Sequence, residues 1–148
     1  RFYKNSKVTI AFPGMTSIPV RGYEVSAISQ EENPPINMFD GTQATRYAVS
    51  GTGQWAKLDL GSVQAIDNVI ISFMSGNKRR QKVTFSVSVD GINWTEVWKG
   101  ESCGTTEDFE TFNIGRQNAR YVRVGLNGNS TGGENWNSIT ELVITRNG

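Results

Sequence analysis

The sequence predicts an all-β domain. Short segments rich in β-branched and aromatic residues recur along the chain, and clusters of Gly, Asn, Asp and Ser separate them. No segment sustains a helical period beyond about two turns. At 148 residues the chain has the length of one ordinary domain, enough to bury a core without disulfides or metal clusters in its place.

The elements follow in order. Residues 1–17 are weakly patterned and contain Pro13-Gly14, so they read as an N-terminal linker, or as an edge strand over residues 8–12, ahead of a domain at 18–148. The polar run 29–33 and Pro34-Pro35 break regular structure, and residues 35–39 are expected to make one short helical turn before Asp40-Gly41. Strands are expected at 55–60, 65–73, 83–89, 95–98, 109–114, 120–126 and 139–145, each short and mostly alternating in polarity. That set suits two packed antiparallel sheets. Asp90-Gly91 tolerates the positive φ of a tight turn and predicts a hairpin, with Trp94 and Trp98 near its packed side. Trp55, Trp94 and Trp98 fall within or beside strands and are assigned to packing.

Composition excludes several function classes. Fifteen Lys and Arg nearly balance fourteen Asp and Glu, which argues against a broad phosphate-binding surface and against an acidic tail. The single cysteine, Cys103, cannot form an internal disulfide, and no apolar run reaches transmembrane length. The absence of histidine removes Ser-His-Asp triads, His-based zinc sites and the commonest general base near neutral pH. No signal-peptide pattern opens at Arg1, so an export signal, if the protein is secreted, lies outside this sequence.

Five segments form an ordered signature: Asn37-Met-Phe-Asp40-Gly-Thr-Gln-Ala-Thr45-Arg-Tyr47, Gln54-Trp-Ala-Lys-Leu-Asp-Leu-Gly61, Val87-Ser-Val-Asp-Gly-Ile-Asn-Trp94, Ala119-Arg-Tyr-Val-Arg-Val124 and Trp136-Asn-Ser-Ile-Thr-Glu-Leu-Val-Ile144. The signature resembles the discoidin-like domains, and within them the family 32 carbohydrate-binding modules, relatives of the coagulation factor 5/8 type C domains. The resemblance covers roughly residues 23–146. It implies a galactose-binding-like β-sandwich, or jelly roll, of two antiparallel sheets. The chain departs from the pattern at Tyr47, where the family usually has tryptophan, and at Thr42, where it often has aspartate or asparagine.

The same resemblance implies a structural calcium ion. Carried over residue by residue, its ligands are side-chain oxygens of Asp40, Thr45 and Glu141 with backbone carbonyls of Asn37, Thr42, Thr45 and Thr140, and hard oxygen donors suit calcium. Read alone, Asp40 and Glu141 are equally a turn-forming and a solvated carboxylate.

Sugars in the resembled family bind at loops on one end of the sandwich. The loop Ser75-Gly-Asn-Lys-Arg-Arg-Gln-Lys82 concentrates four cations, and Lys78, Arg79 and Arg80 together favour a carboxylate or sulfate, unless they simply solvate a hairpin tip. A second loop, 127–135, brings Asn129 and Asn135 beside Trp136, and Tyr23 with Glu24 offers a third wall. The segments 76–79, 102–111 and 128–141 are similar to modules appended to alginate lyases. The expectation is therefore a secreted, monomeric, non-catalytic module. It would target an appended enzyme to a uronate-containing polysaccharide such as alginate, without nucleic acid or membrane partners. Two alternatives remain: a galactose-specific module, and an adhesion domain binding protein or phospholipid. The loop tips carry few apolar side chains, which counts against membrane insertion.

Overall fold

The computed structural model describes residues 2–5 and 10–148. Its strands are β1 (Tyr3–Lys4), β2 (Met15–Ile18), β3 (Gly22–Val25), β4 (Tyr47–Ser50), β5 (Gln54–Phe73), β6 (Gln81–Ser88), β7 (Thr95–Glu101), β8 (Glu110–Asn129) and β9 (Trp136–Asn147). Short 3-10 helices at Pro35–Phe39 and Gly133–Asn135 interrupt two loops, the first where a helical turn was expected.

Every pairing is antiparallel, and hydrogen bonds join all nine strands. Two long strands fold this sheet into a sandwich. The first half of β5 lies between β3 and the second half of β8, whereas its second half, from Asn68, lies between the start of β8 and β9. The sequence predicts two strands in each of these regions. The structure instead runs each through without a break, because the turn signals are absorbed as irregularities within the ladder. Register shifts fall between Asp59 and Gln64 and between Ile66 and Asn68, with Gly61 at φ 87° beside the first.

The two layers meet through alternating inward side chains. Leu58, Phe85, Val122 and Val124 from one layer share a core with Val69, Ile71, Phe112, Leu142 and Ile144 from the other. The Phe112 ring lies 5.2 Å from that of Phe85 and 5.0 Å from that of Trp98. Trp98 is thus a packing residue, as the sequence predicts.

Trp55 and Trp94 are not in the core. Ala56, Leu58 and Leu60 take the inward positions of β5, so Trp55 and Lys57 share the outer face. There Lys57 Nζ lies 4.3 Å from the Trp55 ring centroid and 5.8 Å from that of Trp94, and the Arg123 guanidinium lies 4.6 Å from Trp94.

The Asp90-Gly91 hairpin joins β6 and β7. The Asp90 carboxylate accepts from the backbone N–H groups of Ile92 and Asn93, and Gly91 adopts φ 78°. The N-terminal segment belongs to the fold, since β1 pairs with β3 and Met15 of β2 already pairs with Asn147. The boundary expected at residue 18 thus falls on the last residue of β2. The edge strand expected over 8–12 lies partly outside the described residues.

Strand register places the functional end. Ser50 pairs with Trp136, Phe73 with Ile139 and Gln81 with Asn129, so the loops 26–46, 74–80 and 130–135 gather at one end of the sandwich.

Candidate functional site

A cavity of about 270 Å³ opens among these loops, lined by Gln30, Arg46, Ala48, Met74, Ser75, Arg79, Trp136 and Ser138. Two guanidiniums face it. Arg79 donates from Nη2 to Ser138 Oγ at 3.4 Å. Burial, and then the like charge of Arg46, hold the Arg79 guanidinium below the usual arginine range. Among the described residues neither arginine is paired with a carboxylate. Half-buried Trp136 gives the cavity an aromatic wall.

Local backbone hydrogen bonds aim these side chains. Lys78 and Arg79 both donate their N–H to the Ser75 carbonyl, and the Ser75 N–H donates to Glu107 Oε2 at 3.0 Å. Gly76 is needed for close approach, because a Cβ there would lie 2.4 Å from the Thr106 carbonyl oxygen. On the other side, Asn37 Nδ2 donates to the Arg46 carbonyl at 2.9 Å. Tyr47, the next residue, is fully buried and donates its hydroxyl to the Ala27 carbonyl.

Behind Trp136, the buried carboxamide of Asn137 ties the site together. Its Oδ1 accepts from the Gly128 N–H at 2.8 Å and from Gln81 Nε2 at 2.6 Å. Its Nδ2 donates to the carbonyls of Val49, Gly51 and Asn135.

A second cluster lies where the 40–45 loop meets β9. Thr45 Oγ1 donates to Asp40 Oδ2, and Thr42 donates its N–H to Asp40 Oδ1 at 3.2 Å. The Gly41 N–H donates to Glu141 Oε2 at 3.1 Å. Glu141 is only 2% exposed, and its Oε1 has no hydrogen-bond partner. Burial, reinforced by the charge of Asp40, pushes the Glu141 carboxyl up to about 8. Thr140 turns its hydroxyl to the Ser72 carbonyl at 2.9 Å, at a register shift in the β5–β9 ladder. Among the described residues no group of three or more His, Cys, Asp or Glu gathers, so a cation here would draw on threonine and backbone oxygens as well as the two carboxylates.

Of the ligand residues read from the sequence, the structure brings Arg79 and Trp136 into the cavity. Lys78 and Arg80 are exposed and outside its lining, Arg80 with its stem across Gly104. Asn129 is 2% exposed and committed to the loop, donating to the Trp136 carbonyl and accepting from Thr131. Asn135 packs its side chain on Gly128 and also stays outside the lining. Tyr23 is a core residue, 8% exposed and stacked at 5.5 Å on Phe39, because β3 turns it inward. Glu24, on the opposite face of β3, lies 3.9 Å from Lys57. Arg46 is absent from the sequence-based ligand set, although inward Tyr47 implies by alternation that its neighbour turns away from the core.

The chain matches the F5/8 type C domain family over residues 24–142. It belongs to that family. A solved structure of the CBM32 of AlyQ in complex with 4,5-unsaturated mannuronic acid is 33% identical, with a TM-score of 0.81, over 87% of this chain and 97% of that one. A truncated AlyQ with CBM32 and alginate lyase domains is also 33% identical, with a TM-score of 0.84 over 90% of this chain. This F5/8 type C domain spans 34% of that longer chain. A pectin-binding carbohydrate-binding module is 28% identical, with a TM-score of 0.79 over 86% of this chain and 91% of that one. A comparison with curated proteins found no match. The protein is thus a carbohydrate-binding module of family 32, with the galactose-binding-like β-sandwich that the signature implies.

Proposed function

We propose that this module binds an acidic sugar in the cavity between Arg46 and Arg79 and so holds an appended enzyme at a uronate-containing polysaccharide. One observation carries the reading: two guanidiniums without carboxylate partners converge on one cavity with an aromatic wall. A uronate carboxylate would relieve their mutual repulsion and accept charge-assisted hydrogen bonds, while its ring lies on Trp136. Ser138 and Gln30 are in place to meet hydroxyls. Two similar modules, one solved in complex with 4,5-unsaturated mannuronic acid and one pectin-binding, agree with an acidic ligand.

The module acts by binding alone. Among the described residues none that lines the cavity is a carboxylate, histidine or cysteine, so this lining does not supply the acid and base that glycoside cleavage uses. Weak affinity is sufficient, since tethering raises the local concentration of a linked catalytic domain at its polymer. The parent protein acts outside the cell.

The 40–45 loop and β9 would hold a calcium ion. The orphaned, buried Glu141 Oε1 beside Asp40 and Thr45 is the feature that fits it, because a hard cation would satisfy that oxygen and offset the repulsion between the carboxylates. Asp40, Thr45 and Glu141 would supply side-chain oxygens, and Asn37, Thr42, Thr45 and Thr140 backbone carbonyls. Such an ion fastens the loop carrying Arg46 to the last strand.

Titration calorimetry with calcium, using saturated and unsaturated alginate fragments beside neutral galactosides, tests the ligand. Heat from acidic sugars alone is expected, with Arg79→Ala weakening it by roughly tenfold or more, the worth of a hydrogen bond to a charged group. Binding of galactosides alone would reject the guanidinium cavity as the recognition element.

A further inference from the structure

The outer face of β5, β8, β6 and β7 carries aromatic and cationic side chains that the arginine cavity does not use. Cross-strand partners share a face, so Trp55, Gly125, Thr84 and Lys99 form one row across these four strands. Three strand spacings, roughly 14 Å, separate the ends of the row, which is longer than any one sugar ring. Gly125 leaves the space between Trp55 and Thr84 unfilled, and a Cβ there would lie 3.3 Å from that of Thr84. The row ends in a groove of about 490 Å³, lined on this face by Lys82, Thr84, Lys99, Glu101 and Asn127. The next row sets Lys57 directly opposite Arg123, two like charges on adjacent strands, which is unfavourable by itself. The Trp94 ring lies beside both, 4.6 Å from the Arg123 guanidinium and 5.8 Å from Lys57 Nζ. Glu24, 3.9 Å from Lys57, and Glu96, across Ser86 from Arg123, bound this row at its two ends. Among the described residues no carboxylate pairs with Arg123, and a guanidinium held over an aromatic ring keeps N–H groups at its edge for an anion.

We propose that this face is a second polysaccharide-binding surface, on which a segment of an acidic chain lies across β5, β8, β6 and β7. A carboxylate of the chain sits at Lys57 and Arg123 and relieves their repulsion. A ring of the chain rests on the Trp55 and Trp94 side chains, and hydroxyls further along meet Thr84, Lys99 and Asn127 in the groove. A small anion would satisfy the charges but leave the aromatic row and the groove empty. A neutral chain would fill the groove but leave the like charges facing each other. An acidic oligomer matches both. The face shares no residue with the lining of the arginine cavity, so the proposal does not depend on how that cavity is read. Two separate sites on one module would let it grip a polymer twice or bridge two chains, which raises the overall affinity without any new contact.

The four tryptophans report on the two sites separately, with Trp136 at the cavity, Trp55 and Trp94 on the face and Trp98 in the core. Their indole N–H signals, assigned with single Trp→Phe variants, are followed by NMR while the wild-type protein is titrated with a long oligouronate, a neutral oligosaccharide and duplex DNA. The oligouronate is expected to shift Trp55 and Trp94 and leave Trp98 in place, and the neutral oligosaccharide to shift neither face residue. Movement of Trp136 alone would overturn the second surface and leave the acidic-sugar reading of the cavity intact. Movement of Trp55 and Trp94 without Trp136 would uphold the surface and overturn that reading, and a spectrum unmoved by the oligouronate would overturn both. Equal shifts with duplex DNA at the same charge concentration would make the face a general anion surface and overturn its assignment to sugar. Arg123→Gln is expected to weaken the response of Trp55 by about tenfold in ligand concentration, the worth of a hydrogen bond to a charged group, with the Trp136 response unchanged. Wild-type affinity at the face in that variant would also overturn the proposal.

Discussion

Asn137 is the residue whose loss the structure predicts most sharply. It is 1% exposed, and its carboxamide meets the end of β4, the end of β8 and the side chain of Gln81 at once. Asn137→Ala strands the Gly128 N–H and takes a donor from the carbonyls of Val49 and Gly51, all within 2.9 Å of the carboxamide, while Gln81 Nε2 keeps the Gly128 carbonyl as an acceptor. Each buried polar group left unpaired costs about 1–3 kcal/mol, and partial hydration of the small gap returns some of this. The net loss expected is about 3–5 kcal/mol, which for a domain of this size lowers the melting temperature by roughly 10 °C. Urea titration followed by tryptophan fluorescence measures it, with an unchanged denaturant slope showing that the unfolded reference is the same. Asn137→Asp should be as harmful, because it keeps the acceptor but turns a carboxylate toward carbonyl oxygens. Since Trp136 is anchored next door, acidic-sugar affinity should fall in both variants. A loss below about 1 kcal/mol for Asn137→Ala would refute the view that this carboxamide organises the binding end.

Three further outcomes follow from the same structure. Glu141 has its carboxyl raised from 4.5 to about 8, so in chelator its contribution is fully present below the unfolded value and is lost as the pH climbs through the folded one. Metal-free stability should therefore fall between about pH 5 and pH 9, with calcium restoring it, as denaturant midpoints will show; a calcium-independent midpoint at the alkaline end would remove the proposed ion. Asp67 is held below the usual carboxylate range, first by its hydrogen bonds from Arg116 and then by the Asn147 N–H. That stability is present above the unfolded value and lost as pH falls through the folded one, so Asp67→Asn should flatten the acid side of the stability profile, and an unchanged profile would contradict it. Gly76→Ala must displace either the loop or Thr106, and should cost about 1–3 kcal/mol and weaken sugar binding by moving Arg79; an unaltered affinity would mean that the loop does not aim that side chain.

Much of this was legible in the sequence because it depends on local rules. Alternation in β6, the Asp90-Gly91 turn and the Pro-initiated 3-10 helix need only neighbouring residues to be read. Trp55 shows where local reading fails. A tryptophan in a strand suits either face, and only Ala56 and Leu58 turning inward sends it outward beside Lys57. Tyr23 fails the other way, since an aromatic that reads as an available wall is covered by Phe39 from a different loop.

By itself the sequence determined the all-β class, the order of the strands and the motif set that marks the family, because these are properties of short segments and their succession. It also singled out Arg79 and the pairing of Asp40 with Glu141. Only the tertiary structure decided which cations act together. Lys78 and Arg80 flank Arg79 in the chain, yet its partner at the cavity is Arg46, brought there by the register of β4 against β9. The pairing of β9 with β5 sets Glu141 opposite Ser72, where its Oε1 has no partner. Charge convergence is a property of distance in space, and the side chains that meet at this end come from strands far apart in the chain.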